Sequence, residues 1–191
     1  EVLVDDINVK DYSLKNLRNG VGIVLQKNIL FSGTIKENLK WGDQGASDEE
    51  IYKWAESAQA HGFVSSFERG YETELGQGGV NVSGGQKQRL CIARTLLKKP
   101  KILILDDSTS AVDTATEAKI RESFRNELKD TTKIIIAQRI SSVIDADRIV
   151  VMDDGKIVGI GTHQHLIQSC KTYSEIYYSQ MDKEMDKKVT A

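Results

Sequence analysis

Lys101-Ile102-Leu103-Ile104-Leu105-Asp106-Asp107-Ser108 is a short aliphatic run that ends in two adjacent carboxylates. Its apolar residues do not alternate with polar ones, the pattern of a strand buried on both faces of a parallel sheet. Runs of the same kind stand at 2–4, 21–25, 133–137, 149–152 and 156–159, and helical patterns separate most of them. An α/β layered core is therefore expected. Ligands in open α/β sheets gather at the carboxyl ends of strands, so Asp106 is a candidate Mg²⁺ ligand, directly or through water. Its neighbour Asp107 can polarise an attacking water. An acid after a strand also fits a turn or a helix cap, and that reading stays open on these two residues alone.

Working outward, the helices are announced by their first turns. Ser47-Asp48-Glu49-Glu50 is a capping box, followed by Ile51, Trp54, Ala55 and Ala58 on one face, which predicts a helix over 48–60. Thr114-Ala115-Thr116-Glu117 repeats the device ahead of Ile120, Phe124 and Leu128, and Ser83-Gly84-Gly85-Gln86 repeats it ahead of Leu90, Ala93 and Leu97. Residues 33–99 read as helices and glycine turns without a convincing strand, a helical insertion into the α/β core. Ser83 caps a helix with two glycines in its first turn, leaving backbone amides bare at a positive helix end where a phosphate can approach. A glycine turn that merely begins a helix is the plainer alternative for that tripeptide.

Composition sets outer limits. The 191 residues are 39% apolar and 28% charged with a net charge of −2, which suits an ordinary globular domain and gives no general attraction to nucleic acid or anionic lipid. Two cysteines, Cys91 and Cys170, cannot build a disulfide framework and fit a reducing compartment. No apolar stretch approaches the ~20 residues that cross a bilayer. The end, 181–191, is rich in Asp, Glu and Lys and is expected to fray as an exposed tail.

Several further motifs fall in one order. Val24-Leu25-Gln26 closes a predicted strand and Leu30-Phe31-Ser32-Gly33-Thr34-Ile35-Lys36-Glu37-Asn38 follows it. Val82-Ser83-Gly84-Gly85-Gln86 comes next, then Asp106, Ser110-Ala111-Val112-Asp113, Ile136-Ala137-Gln138-Arg139 and Gly161-Thr162-His163. That order resembles the nucleotide-binding domain of ATP-binding cassette (ABC) transporters of the exporter type, over nearly the whole chain to about residue 180. The resemblance implies a P-loop NTPase (RecA-like) parallel-sheet core at 1–32 and 100–180 with a helical subdomain at 33–99. It assigns Gln26 to the Q-loop, sensing Mg²⁺ and facing the membrane domain's coupling helices. Ser83, Gly84, Gly85 and Gln86 become the signature, Asp106 the Walker B aspartate, Asp113 an interface residue of the D-loop, and Gln138 the switch residue. ATP and Mg²⁺ are the implied cofactors, and a second cassette and transmembrane helices the implied partners, at the cytoplasmic face of the membrane, with no nucleic acid. Soluble cassette ATPases that act on DNA or ribosomes would carry long coiled coils or basic linkers, and neither occurs here.

Three departures from the family pattern qualify the resemblance. Within the 191 residues no phosphate-binding loop occurs: the one Gly-Lys pair, Gly155-Lys156, is followed by Ile157, and Val150 stands where the earlier glycine belongs. The family places that loop upstream of Glu1, so Glu1 is expected to mark a truncation. The catalytic glutamate position holds Asp107, shorter by about 1.5 Å, and the switch histidine is Gln138, which can hydrogen-bond a phosphate but not titrate. In a head-to-tail pair both changes fall in one composite site, while the intact signature serves the other, as in heterodimeric exporters with one degenerate site. The alternative is a non-catalytic module that only donates its signature and D-loop to another cassette. His163 and His165 read as capping and surface residues, Cys91 and Cys170 as packing, His61 as a helix boundary, and Lys98, Lys99 and Lys101 as a solvated turn.

Overall fold

A computed structural model describes residues 1–189 of the chain, with side chains as far as Asp182. It divides into two compact units, Glu1–Ile136 and the residues from Ala137 onward. The first opens with an antiparallel pair, β1 (Leu3–Val4) and β2 (Ile7–Asn8), then α1 (Leu14–Gly20) and β3 (Val21–Val24). After these come β4 (Gly33–Thr34), α2 (Ile35–Lys40), α3 (Asp48–Ser57), α4 (His61–Ser65), β5 (Glu74–Leu75) and α5 (Gly84–Leu97). The unit closes with β6 (Ile102–Asp106), α6 (Thr114–Glu127) and β7 (Thr132–Ile136).

β3, β6 and β7 form a parallel sheet with β6 in the middle; Val21 pairs with Ile102, and Ile102 with Thr132. Val24, Leu103 and Leu105 join Leu90, Ile92, Leu96 and Leu97 of α5 and Ile120 and Phe124 of α6 in one buried cluster. Burial on both faces was the expectation, and it holds for only one. Along β3 and β7 it alternates, and Ile23, Ile134 and Ile136 are about half exposed. The unalternating apolar run in the sequence therefore describes strands covered by helices on one side and bare aliphatic on the other.

Three more expectations change. The insertion at 33–99 does contain strands: β4 and β5 pair antiparallel, Gly33 with Leu75 and Thr34 with Glu74. Both have two residues, too short for periodicity to register. The helix expected over 48–60 stops at Ser57, because Gln59 takes a left-handed φ of 56° and its carbonyl accepts from Arg89 Nη1 at 2.7 Å; α4 then restarts at His61. The cap of α6 is Asp113, one residue before the expected Thr114: its carboxylate accepts from the Thr116 amide at 2.9 Å. Capping boxes at Thr34/Glu37, Ser47/Glu50 and Ser83/Gln86 are complete in both directions.

The second unit comprises the antiparallel hairpin β8 (Ile149–Asp153) and β9 (Lys156–Gly161), followed by α7 (His163–Ser169) and α8 (Lys171–Val189). Its own cluster holds Ile140, Ile149, Val151, Leu166, Cys170 and Tyr173. α8 runs on through residues 181–189, where a frayed tail was expected, since Lys, Glu and Met are strong helix formers. Residues 190 and 191 of that tail lie outside the described residues. Among the described residues no helix is long and apolar enough to cross a membrane.

Candidate functional site

The parallel register sets Val24 beside Leu105, so the residues just past β3 and β6 emerge at the same end of the sheet. There Gln26 Nε2 donates to Asp107 Oδ2 at 3.2 Å, a bond between residues 81 positions apart. Asp107 leaves β6 with a φ of 46°, a region that aspartate tolerates better than most side chains. Its amide donates to the Ile136 carbonyl at 2.8 Å, so β7 helps fix the bend. Asp106, the last residue of β6, pairs in register with Ile136 and is partly exposed at the same edge. Two adjacent carboxylates and an amide oxygen are hard donors of the kind Mg²⁺ takes. Among the described residues no group of three or more His, Cys, Asp or Glu converges as a metal cage. Mg²⁺ binds with one or two protein carboxylates when phosphates and water supply its remaining ligands, and these residues fit that arrangement.

A second cluster forms at the start of α5. Ser83 Oγ accepts from the Gln86 amide at 3.2 Å, and Gln86 Oε1 accepts from the Ser83 amide at 2.9 Å, so both side chains are engaged in the cap. The two glycines differ. A Cβ on Gly84 would find only Ala111 Cβ at 3.6 Å, ordinary contact, whereas one on Gly85 would lie 2.7 Å from the Ala111 carbonyl oxygen. Gly85 is thus required by the close approach of segment 110–112, a cause separate from the phosphate access read in the sequence. Asp113, at the end of that segment, is held below the usual carboxylate range by the Thr116 amide it accepts from.

Two residues that the sequence reading passed over tie this region together. Gln88 is almost fully buried; its Oε1 accepts from the Ala111 amide at 3.0 Å, and its Nε2 donates to Ser110 Oγ at 3.4 Å. Arg89 donates from Nε to the Gly85 carbonyl at 3.3 Å, reaches Gln59 with Nη1, and lies 4.6 Å from the Phe63 ring centroid. Burial lowers its guanidinium pKa. The signal for Gln88 was present in the sequence: it stands four residues before Ile92, on the apolar face of α5, where a polar residue needs a reason.

The structure thus brings Gln26 and Asp107 together, and places Ser83, Gly84, Gly85 and Gln86 against the segment that leads to Asp113. Gln138 belongs to the second unit, where its carbonyl accepts from Gln180 Nε2 at 2.9 Å. The remaining residues are structural. Cys91 and Cys170 are buried. His61 opens α4 and meets Tyr71 Oη at 2.8 Å. Thr162, not His163, caps α7, while His163 Nδ1 meets Tyr173 Oη at 2.9 Å. Lys98 is no free turn lysine: it donates to the carbonyls of Arg18 and Val21.

Residues 1–110 match the family model described as ABC transporter. Two Staphylococcus aureus proteins, from strains COL and MW2, are each 48% identical over 177 residues, 93% of this chain and 31% of theirs; their names speak of multidrug export with ATP-binding and permease parts. A solved structure of a bacterial Atm1-family ABC exporter with ATP bound superposes with a TM-score of 0.90 at 39% identity, over 93% of this chain and 31% of that one. The chain spans about a third of the length of the relatives it matches.

Proposed function

Because the chain belongs to the ABC transporter family, we propose that it works as the ATP-binding part of an exporter, coupling ATP binding and hydrolysis to movement of a substrate through transmembrane helices. The observation that carries this reading is the Gln26–Asp107 bond at the carboxyl end of the parallel strands, beside Asp106. It joins a residue that would hold Mg²⁺ to one that would act on water. The working place of such a part is the cytoplasmic face of a membrane.

Asp106 and Gln26 would hold Mg²⁺, which supplies charge to stabilise a leaving phosphate. Asp107, oriented by Gln26 and by the Ile136 carbonyl, would accept a hydrogen bond from water. Its short side chain and fixed φ keep its oxygen close to the strand end, so water is poorly reached and turnover slow: a displacement of ~1 Å can cost on the order of a hundredfold. Gln138 would hydrogen-bond a phosphate oxygen without contributing positive charge. Ser83, Gly84, Gly85 and Gln86 present a helix N-terminus, which suits an anion held by a second cassette. We therefore read the assembly as a heterodimer, with a slow site over Asp107 and a fast one completed by this chain's signature and Asp113.

The experiment is site-resolved trapping of a photoreactive ATP analogue with orthovanadate, in the full-length protein with its native partner, followed by peptide mapping. Intact nucleotide is expected at the site over Asp107 and trapped diphosphate at the partner's. Equal trapping at both sites would refute the asymmetric reading. No nucleotide at the site over Asp107 would support the narrower role of donating Ser83–Gln86 and Asp113 alone.

A further inference from the structure

Tyr173, Tyr177 and Gln180 are spaced four and three residues apart on α8, which puts them on one face of the helix. Tyr173 is 3% exposed and Tyr177 packs on the cluster that holds Ile140, so that face covers the core of the second unit. A partly buried glutamine there needs partners for both ends of its amide. It finds them on the main chain about 40 residues earlier: Gln180 Oε1 accepts from the Ile140 amide at 2.9 Å, and Gln180 Nε2 donates to the Gln138 carbonyl at 2.9 Å. The Ile140 amide opens a single 3-10 turn, Ile140–Ser142, and the residue in its capping position is Arg139, whose side chain makes no cap. A guanidinium has donors only, so it has nothing to offer a bare amide. Gln180 does from a distance what a capping serine does locally, and its other end grips the carbonyl two residues earlier.

We propose that Gln180 is the positioning residue of Gln138: it clamps the main chain on both sides of Arg139 and so fixes the direction in which the Gln138 side chain leaves that segment. The proposal rests on the functional reading above, which gives Gln138 a phosphate oxygen. Gln180 itself touches no nucleotide. One amide that reaches two backbone groups holds position and orientation together, where a single bond would leave a pivot. The exposed Gln138 side chain gives up rotamer freedom when it takes a phosphate, and a main chain fixed beforehand adds nothing to that loss.

Gln180→Met nearly keeps length, volume and helix propensity but loses both bonds. Two readouts on the full-length protein with its native partner test the proposal. The first needs no nucleotide: amide hydrogen exchange across 137–143, read by mass spectrometry, is expected to rise about fivefold in Gln180→Met, the factor of one ordinary hydrogen bond. The second is labelling by a photoreactive ATP analogue with Mg²⁺, mapped by peptide so that the site over Asp107 is read alone. There the concentration for half-maximal labelling should rise about fivefold in Gln180→Met and at least as much in Gln138→Ala, with the partner's site changed less than about twofold. Because Gln180 acts through Gln138, the double variant should match Gln138→Ala. Effects that multiply in the double variant would overturn the proposal, as would unchanged exchange across 137–143 or an equal loss at both sites. Should Gln180→Met fail to fold, Gln180→Glu decides by the same labelling, since it keeps the acceptor for Ile140 and loses the donor to Gln138: half-maximal labelling must weaken at the site over Asp107 alone. Failure of the functional reading looks different, for Gln138→Ala would then label like the wild type while exchange still rises in Gln180→Met. That outcome removes Gln138 from the nucleotide, and the positioning role with it.

Discussion

Adjacent glycines at the start of α5 should respond with opposite sign to the same substitution. In Gly85→Ala the new Cβ lies 2.7 Å from the Ala111 carbonyl oxygen, and ordinary contact begins at 3.4 Å, so helix and segment 110–112 must part by about 0.7 Å. The Gln88–Ala111 bond, now 3.0 Å, would then stretch beyond hydrogen-bonding range. Leaving that buried amide unmatched costs ~1–3 kcal/mol, and strain in the packed contact another ~1–3 kcal/mol. The better helix propensity of alanine returns at most ~1 kcal/mol, for a net loss of about 1–5 kcal/mol. Gly84→Ala meets only Ala111 Cβ at 3.6 Å and keeps the propensity gain, so it is neutral or stabilising by up to ~1 kcal/mol. Amide hydrogen exchange across α5 and 108–112, read by mass spectrometry with the thermal midpoint, measures both. Gly85→Ala exchanging no faster than wild type, or Gly84→Ala faster than Gly85→Ala, would sink the packing account of Gly85.

Other consequences can be checked in the same protein. Asp107→Glu extends the carboxylate by about 1.5 Å and should raise turnover at its own site in vanadate trapping, while lowering the thermal midpoint slightly because glutamate accepts a φ of 46° less readily. An unchanged trapping pattern would count against Asp107 as the slow element. Under the role proposed for it, Gln138→His should add a titration near pH ~6.5 to nucleotide turnover; pH profiles identical to wild type would count against that role. Burial pushes the Cys91 thiol pKa up, so native alkylation of Cys91 should be far slower than that of an exposed thiol and should accelerate in urea, as peptide mapping would reveal. Lys99, donating to Glu50 at 2.5 Å, and the Ser47 amide hold the Glu50 carboxyl below the usual range. Stability from that pair is present above the unfolded glutamate pKa and lost as pH falls through the depressed one. Lys99→Gln should therefore lower the thermal midpoint at neutral pH and lose its penalty in strong acid, and a penalty that persists there would contradict the ion pair.

Much of this was legible in residue type and spacing, and what escaped did so for physical reasons. The parallel strands were found because β-branched runs of four or five residues are long enough to carry a pattern, whereas β2, β4 and β5, with two residues each, are created by pairing and leave no period to read. Burial on both faces was misjudged because an aliphatic residue on an open face reads the same as one in a core. Ser47 and Ser83 were visible as caps through their partners three residues on, while Asp113 was read only as an interface residue, although aspartate caps as well as serine. Gln26 and Asp107 could be named from the sequence, but their meeting depends on register between strands far apart in the chain. Gln88 left a signal, a polar side chain on the apolar face of α5, but its partners in segment 110–112 and the Gln59 carbonyl that Arg89 reaches are brought near only by folding.

The spacing of the three parallel strands has a consequence for how the chain closes and what it tolerates. β6 reaches β7 across residues 107–131 but reaches β3 across residues 25–101, a span about three times longer. Ring closure grows only with the logarithm of length, so the longer span costs under about 1 kcal/mol more. The short crossover gives the β6–β7 pairing the smaller closure cost of the two. The closure cost is therefore nearly indifferent to the amount of polypeptide spliced between Val24 and Ile102. Surface turns in that segment could be lengthened or exchanged over evolutionary time at little cost to the strands, provided α5 keeps Leu90, Ile92, Leu96 and Leu97 packed on the sheet and its grip on 110–112.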